Sequence, residues 1–125
     1  MKTDLIWQRA EAKHVWWWQK LCARYPKLHK PMPKLVLNKR LKTTAGRCFY
    51  ETRVVDLSYD LLMEYPEEFY SQTIPHELCH QVAWDLYAEP QHGKPWKDTM
   101  LGMGLEPDIY HNMTNTRWAA RKAKV

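Results

Sequence analysis

Cysteine is scarce in this chain, and its placement argues against a disulfide-based fold. The 125 residues contain three cysteines, Cys22, Cys48 and Cys79, and no C-x-x-C pair. An odd number without paired spacing disfavours a disulfide framework and a cysteine-based zinc ribbon. We therefore interpret Cys79 as a small packing residue.

Long apolar runs are also lacking. Met1-Lys2-Thr3-Asp4 is not followed by the apolar run of a signal peptide. No window of the sequence is long and apolar enough to span a membrane. We therefore expect a cytoplasmic protein without a membrane partner, associated with the nucleoid if its activity depends on DNA.

Aromatic side chains and positive charge are abundant instead. Seven tryptophans and seven tyrosines accompany a hydrophobic fraction of 45%, which suits one globular domain over residues 1–125. The net charge is +5 and the sequence pI is about 9.1. A basic surface favours anionic partners, of which nucleic acid is the foremost candidate. The alternative is that the charge serves solubility alone.

The most informative stretch is His76-Glu77-Leu78-Cys79-His80. Residues four apart on a helix lie on one face, so His76 and His80 can bind one metal ion. Glu77 lies about 100° around the helix, within reach of a water on that metal. This spacing is typical of zinc hydrolases, in which the carboxylate is the catalytic base. The alternative is a helix with two partly exposed histidines and a solvated glutamate.

A catalytic zinc ion usually has three protein ligands and one open position, so a third ligand is expected downstream. His92 lies in a turn segment between Pro90 and Gly93, which can bring a side chain back to the helix. Glu89 and Glu106 are the rival ligands, because carboxylates also bind zinc.

Hydrophobic periodicity and turn residues together predict an α+β fold. Pro75 lies inside the longest predicted helix and predicts a kink or a restart there. His14 and His29 have no matching partners and are predicted to lie at the surface. The predicted elements are a helix over 3–25, strands over 34–40, 46–51 and 53–57, a short helix over 58–65, a helix over 66–87, a short helix from 94 or 95 to 103, and a terminal helix or basic tail over 114–125.

Two blocks of the sequence resemble the SprT-like family. The first joins the HExxH motif at 76–80 to the segment His-Gly-Lys-x-Trp-Lys at 92–97, followed by Met100 and Gly102. The second is Leu-Asn-x-Arg-Leu-x-Thr-Thr-Ala-Gly-Arg at 37–47. The match runs from about residue 33 to 104, and two blocks in the right order are far more specific than HExxH alone.

The resemblance implies a zincin-like minimal metalloprotease domain. Such a domain has an N-terminal helix, a small three-stranded sheet, the HExxH helix and a short helix that carries the third-ligand segment. The resemblance makes His92 the third ligand of one catalytic Zn²⁺ ion. It also implies cleavage of proteins bound or crosslinked to DNA, with single-stranded or damaged DNA as a partner. The C-terminal zinc ribbon of bacterial members has no counterpart in these 125 residues, so targeting through such a module is not expected.

The segment from Thr43 to Arg47 is the predicted substrate edge or its rim. Extended substrates of zinc peptidases often pair with an edge strand near the metal. The resemblance places this edge at Thr44, Gly46 and Arg47, and it makes His111 a residue that faces the substrate or the transition state. The alternative for the edge segment is an ordinary β-turn.

Trp16-Trp17-Trp18 must cover more than one face of the first helix, so at least one ring is expected to be partly exposed. Packing against the metal-binding helix is the favoured interpretation, because tryptophan usually contributes to the core. The alternative is a platform on which an unpaired base stacks, with phosphate contacts nearby. The candidate DNA-binding residues are Trp17, Lys20 and Arg24.

Three functions are compatible with these observations. The first is an SprT-like zinc endopeptidase that acts on DNA-bound proteins. The second is a general intracellular zinc peptidase that does not depend on DNA. The third is a non-catalytic, zinc-stabilised binding module, which Glu77 disfavours because a structural site does not need a base and is usually closed by four protein ligands.

Overall fold

The computed structural model describes residues 1–123, and it has the predicted α+β composition. The prediction for the terminal tail extends to residues 124 and 125, which lie outside the described residues. The observed elements are α1 (Lys2–Arg24), β1 (Lys34–Asn38), β2 (Gly46–Phe49), β3 (Val54–Ser58), α2 (Tyr59–Glu64), α3 (Pro66–Glu68), a π-helical segment (Phe69–Thr73), α4 (Ile74–Tyr87), α5 (Lys94–Gly102) and α6 (Thr116–Ala123).

The three strands form one sheet in the order β1-β3-β2. β1 pairs with β3 in parallel, and β2 pairs with β3 in antiparallel register, with Gly46 opposite Leu57. The central strand is the most buried of the three, because Val55 and Leu57 are fully covered. β2 is therefore an edge strand within the described sheet, and its outer side has no strand partner there.

The first helix packs its buried stripe against the helical stretch that leads to the metal-binding motif. Two buried hydrogen bonds fix the contact. Trp17 Nε1 donates to Tyr70 O at 2.8 Å, and the Tyr70 hydroxyl donates to Ile6 O at 3.0 Å. Trp17 and Trp18 are buried, whereas Trp16 is 42% exposed. The prediction of packing with one partly exposed ring is confirmed.

The chain stays helical from Pro66 to Tyr87, and the irregularity expected at Pro75 takes the form of a π-helical turn. Proline lacks a backbone N–H, and its ring collides with the carbonyl four residues earlier in a regular α-helix. That carbonyl belongs to Ser71, inside the π-helical segment. In a π-helical turn, each carbonyl bonds the N–H five residues later rather than four, and this wider turn leaves room for the proline ring. The helix can therefore continue through Pro75 into the His76–His80 turn.

Side-chain contacts hold α4 against the sheet. Gln81 is fully buried and donates to Tyr50 O and to Asp85 Oδ1, both at 3.0 Å. Arg53, at the turn before β3, donates to the same Asp85 oxygen at 2.7 Å. These contacts fix the rotation of α4 about its own axis. With Gln81 turned towards the sheet, the preceding residue, His80, faces the cavity.

The short helix α5 packs on α4 through its inner face. Trp96 and Met100 are four residues apart and both are fully buried, as the sequence predicted. The helix ends in a Schellman motif, in which Leu105 N donates to Met100 O and Gly104 N donates to Leu101 O. Gly104 has φ of +77°, a conformation that glycine adopts without strain.

The surface prediction for His14 is wrong, whereas the one for His29 is confirmed. His14 is 1% exposed on the buried face of α1, and its Nε2 lies 2.8 Å from Pro33 O. That carbonyl lies 19 residues away, so no local pattern indicates the contact. Nδ1 of His14 is buried without a hydrogen-bond partner. Burial lowers the pKa of His14, and the bond to the Pro33 carbonyl opposes the shift less strongly.

His14 should therefore make the fold less stable in acid. A histidine whose pKa is lowered on folding binds its proton more readily in the unfolded chain. Its stabilising contribution is complete above the unfolded pKa of about 6.5 and is lost as the pH falls below it, by at most about 1.4 kcal/mol per pH unit. We expect His14→Gln to flatten the fall in unfolding free energy between pH 7 and pH 5, measured by urea denaturation. The exposed His29→Gln should leave the wild-type slope unchanged. Parallel curves for wild type and His14→Gln would contradict the assignment.

None of the helices among residues 1–123 is long and apolar enough to cross a membrane.

Candidate metal centre

Three histidines converge at the inner end of a cavity. His76 and His80 lie one turn apart on α4, and His92 comes from the turn segment before α5. Nε2 of His92 lies 3.0 Å from Nε2 of His80 and 3.3 Å from Nε2 of His76. The ligating atoms of all three lie within 4.8 Å of one another.

This donor set fits a tetrahedral metal ion. Two nitrogen ligands at about 2.0–2.1 Å from a tetrahedral zinc ion are about 3.3 Å apart, close to the observed spacings. Three ring nitrogens of the same type pointing at one another do not satisfy each other by hydrogen bonding, since one N–H can serve only one neighbour well. A shared cation satisfies all three lone pairs. Three protein ligands also leave a fourth position open, as in catalytic rather than structural sites.

The environment keeps the three imidazoles neutral, the form that binds metal. Burial and the neighbouring His92 lower the pKa of His76 to about 4, which a backbone hydrogen bond with Asp108 opposes. Burial and the other two histidines lower the pKa of His80 to about 3. Burial, followed by the charge of Lys97, lowers the pKa of His92. The lone pairs are therefore available at neutral pH.

Glu77 lies beside the histidines on the floor of the cavity. Its carboxylate is buried, and Oε2 lies 3.8 Å from Nε2 of His76. Burial, and secondarily the charge of Asp56, raises the pKa of Glu77 to about 8. The residue is thus a buried carboxyl group directly next to the three converging nitrogens, placed to exchange a proton with a molecule held there.

Trp96 supports the histidines from below. Its ring centroid lies 4.8 Å from that of His76, 5.2 Å from that of His80 and 4.6 Å from that of His92. Its Nε1 donates to the backbone carbonyl of His76 at 3.2 Å. A single fully buried side chain therefore contacts all three rings and holds the first turn of α4 in place. The sequence predicted only that Trp96 lies on the inner face of a short helix, and it did not indicate the contacts with all three histidine rings.

Gly46, the first residue of β2, makes room for Glu77. A Cβ atom at Gly46 would lie 3.3 Å from Cγ of Glu77 and 3.2 Å from the backbone oxygen of Asp56. Both distances are too short for a side chain to fit easily. The edge strand can lie this close to the carboxylate of Glu77 because residue 46 is glycine. Thr44 lies just before β2 and also lines the cavity.

Arg47 is not among the residues that line the cavity, and its predicted role in substrate binding stays a prediction. Successive residues of a strand face opposite sides of the sheet, so Arg47 points away from the face on which Gly46 meets Glu77. Arg47 instead forms a two-fold hydrogen-bonded ion pair with Asp56, at 3.1 and 2.6 Å. Asn38 of β1 donates to the same carboxylate at 2.9 Å. The three residues tie all three strands together on the sheet face away from the cavity.

The cavity above the histidines has a volume of about 660 Å³. One wall is the loop before β2, another is the helical stretch with Glu68, Gln72 and Thr73, and a third is the irregular segment after α5. His111 belongs to that third wall, so it lies at the cavity as predicted. Both of its ring nitrogens are, however, bound to backbone atoms of the protein. Periodicity could not reveal this wall, because the segment after α5 has no regular secondary structure.

Neither rival ligand belongs to the cluster of converging donors. Oε1 of Glu89 accepts a hydrogen bond from the backbone N–H of Gln91 at 2.8 Å and stabilises the turn that presents His92. Glu106 is exposed, and its backbone oxygen accepts a hydrogen bond from Gln72 at 3.0 Å. Within residues 1–123, the donors close enough to share a metal are the three histidines.

The prediction that Trp17 stacks on DNA is wrong, because its ring is buried and its N–H is bonded to Tyr70 O. Lys20 and Arg24 are exposed on α1. Nζ of Lys20 lies 4.8 Å from the ring centroid of Trp16, the exposed member of the three tryptophans. The hydrophobic periodicity of α1 could not show which of the three tryptophan rings is buried, because α1 contacts several elements at once.

The site and fold define a small α+β protein in which three histidines, close enough to bind one metal ion, lie beside a buried carboxyl group. The chain belongs to the SprT-like family, whose model matches residues 10–115. It is 39% identical to Protein SprT of Cronobacter sakazakii over 77 residues, which are 58% of this chain and 46% of that protein. It is 38% identical to Protein SprT of Salmonella arizonae over 79 residues, 60% of this chain and 47% of that protein.

The chain spans about half the length of the curated relatives that it matches. No solved structure matches the chain.

Proposed function

We propose that the chain is a zinc-dependent endopeptidase with a zincin-like catalytic domain. The observation that carries the proposal is the position of Glu77. Its carboxylate is buried at the floor of an open cavity, 3.8 Å from Nε2 of His76. A site that only stabilises the fold needs no such group. His76, His80 and His92 would hold the metal as neutral imidazoles.

A bound zinc ion supplies Lewis acidity, which acidifies a water molecule and polarises a peptide carbonyl. The chain's own residues do the rest. In its carboxylate form, which the positive charge of a bound metal ion would favour, Glu77 accepts the proton of the attacking water and delivers it to the departing amine. Trp96 fixes the ligand rings, and the surrounding apolar core keeps the carboxylate of Glu77 out of bulk water. The close approach of Gly46 sets the distance between this base and the edge strand.

The edge strand β2 is the proposed substrate platform. An extended peptide that pairs with its free side gains backbone hydrogen bonds without regard to sequence. Thr44 and Gly46 stand at the end of this edge nearest Glu77 and line the cavity. The proposed substrate is therefore an extended segment of polypeptide, bound mainly through its backbone.

We further propose that the substrates are proteins bound or crosslinked to DNA. The support is the net charge of +5 and the exposure of Lys20 and Arg24 on α1, which can contact phosphates. The rival function is peptide hydrolysis without DNA, which the same metal centre supports equally well. DNA dependence separates the two.

The test combines zinc content with cleavage of a DNA-binding protein, with and without single-stranded DNA. We expect one zinc ion per chain and cleavage that single-stranded DNA accelerates, with Lys20→Ala and Arg24→Ala reducing the acceleration. Because phosphate contacts depend on salt, the acceleration should weaken as the salt concentration rises. Zinc-dependent cleavage that ignores DNA would leave the general peptidase. One zinc ion without any cleavage would leave the non-catalytic binding module.

A further inference from the structure

The wall of the cavity that follows α5 is held at both ends. We call residues 106–115 the strap. At its start, Gln72 donates to the backbone oxygen of Glu106. At its end, the Tyr65 hydroxyl bonds both the N–H and the carbonyl of Thr114. Asn115 is buried and donates to Lys42 O at 2.9 Å and to Asp60 Oδ2 at 3.0 Å, so this end is a fixed anchor.

Between these anchors, His111 holds the strap to the loop before β2. Its Nε2 lies 2.6 Å from Thr43 O, and its Nδ1 accepts a hydrogen bond from Met113 N at 3.0 Å. A carbonyl can only accept and a backbone N–H can only donate, so Nε2 donates to Thr43 O and Nδ1 accepts from Met113 N. Both nitrogens are occupied, which leaves neither free for a substrate atom. His111 is therefore a positioning residue, and we call its bond to Thr43 the clasp.

The clasp lies at one end of the proposed substrate platform. His111 and Thr43 both line the cavity, so their bond joins two of its walls. A peptide paired with the free side of β2 and extended beyond Gly46 runs towards residues 43–45, where the clasp stands. A chain end can stop short of this point. A continuous chain cut at an internal bond must leave the cavity at both ends, and the clasp obstructs one of them.

The clasp is weaker than the Asn115 anchor. It is one hydrogen bond from an exposed side chain, whereas the Asn115 anchor is buried and includes a bond to a carboxylate. A net hydrogen bond of this kind shifts an opening equilibrium by about 2- to 10-fold. The part of the strap between Asp108, which has a backbone hydrogen bond with His76, and the Asn115 anchor can thus lift while both of these points stay attached.

We propose that the clasp is a specificity determinant: it admits short peptides and chain ends readily, and it must release before an internal bond of a continuous polypeptide can be cut. This inference rests on the proposed peptidase function. It assigns His111 a role in selecting the form of the substrate rather than in the chemical step.

The experiment compares a short linear peptide with the same peptide cyclised head to tail, which has no ends. In the zinc-loaded protein, we expect His111→Ala to raise kcat/KM for the cyclic peptide by about 2- to 10-fold and to leave that for the linear peptide within about 2-fold. His111→Gln, whose amide can donate to Thr43 O with similar reach, should restore the wild-type ratio. Equal changes for both peptides, or a loss of cleavage for both, would overturn the specificity role.

Hydrogen exchange provides a readout that does not depend on activity. His111→Ala should raise exchange at the backbone amides of the strap by about 2- to 10-fold, while exchange in α4 and the zinc content stay at wild-type levels. Unchanged exchange in the strap would show that the clasp does not hold it and would overturn the proposal. If the wild type binds zinc but cleaves neither peptide, the peptidase function itself fails, and the exchange comparison still reports separately on the clasp.

Discussion

Glu77→Gln should retain zinc and lose peptide hydrolysis by about 10²- to 10⁴-fold, the range that general acid–base catalysis supplies. Glutamine keeps the size and hydrogen-bonding reach of the side chain but cannot accept a proton at neutral pH. The surroundings of residue 77 are close enough to make this substitution informative. A Cβ added at Gly46 would lie only 3.3 Å from Cγ of Glu77, so there is little spare room around this side chain. Glutamine, which has the same shape as glutamate, is expected to occupy the same space.

The measurement is kcat for a peptide substrate together with zinc stoichiometry. Glu68→Gln is the matched control, because Glu68 also lines the cavity but is exposed and is not part of the cluster of converging metal donors. We expect that variant to retain activity within about 3-fold, since an exposed charge is largely screened. Hydrolysis by Glu77→Gln at the wild-type rate would remove Glu77 from the mechanism. Loss of zinc by that variant would instead assign it a role in metal binding.

Trp96→Ala should cause a large loss of stability, about 3–5 kcal/mol, which is typical when a buried tryptophan is truncated. Trp96 is fully buried and contacts the rings of His76, His80 and His92. The cavity created would lie directly under the metal centre. We therefore expect zinc affinity to fall by at least about 10-fold, as happens when groups that orient metal ligands are lost.

Because Trp96→Ala could unfold a protein of ordinary stability, Trp96→Phe provides a second measurement. Phenylalanine keeps most of the apolar volume but cannot donate to the backbone oxygen of His76. We expect a smaller loss, about 1–3 kcal/mol, because part of the buried volume and one hydrogen bond to the His76 carbonyl are lost. Trp16→Ala, at an exposed position of α1, should change stability by less than about 1 kcal/mol. The checks are urea denaturation and competition for zinc with a chelator. Equal losses for Trp96→Ala and Trp16→Ala would contradict the supporting role.

The parts of the site that follow from local rules were predictable from the sequence. His76 and His80 share a face because four residues make slightly more than one helical turn. The turn residues around His92 indicated a segment that could fold back to the helix. Long-range contacts had no such signal. The bond of His14 to Pro33 O spans 19 residues, and the choice of Trp17 rather than Trp16 for burial depends on Tyr70, 53 residues away.

The strap shows a second limit of sequence reasoning. Residues 106–115 carry no hydrophobic period, so their path over the cavity is set by individual hydrogen bonds from Gln72, Tyr65 and Asn115. The interpretation of His111 as a cavity residue came from the resemblance. Its two bonds to backbone atoms, which change its role from substrate contact to positioning, required the structure.

The free side of β2 also has a consequence for solubility. An unpaired edge of a sheet is a template on which other chains can add strands and aggregate, so a protein that keeps one open carries a risk of self-association. Three features limit that risk here. β2 is only four residues long, Arg47 puts a charge on it, and the strap is attached at the loop that precedes it. The open edge thus offers few backbone groups on which copies of the same chain could add strands.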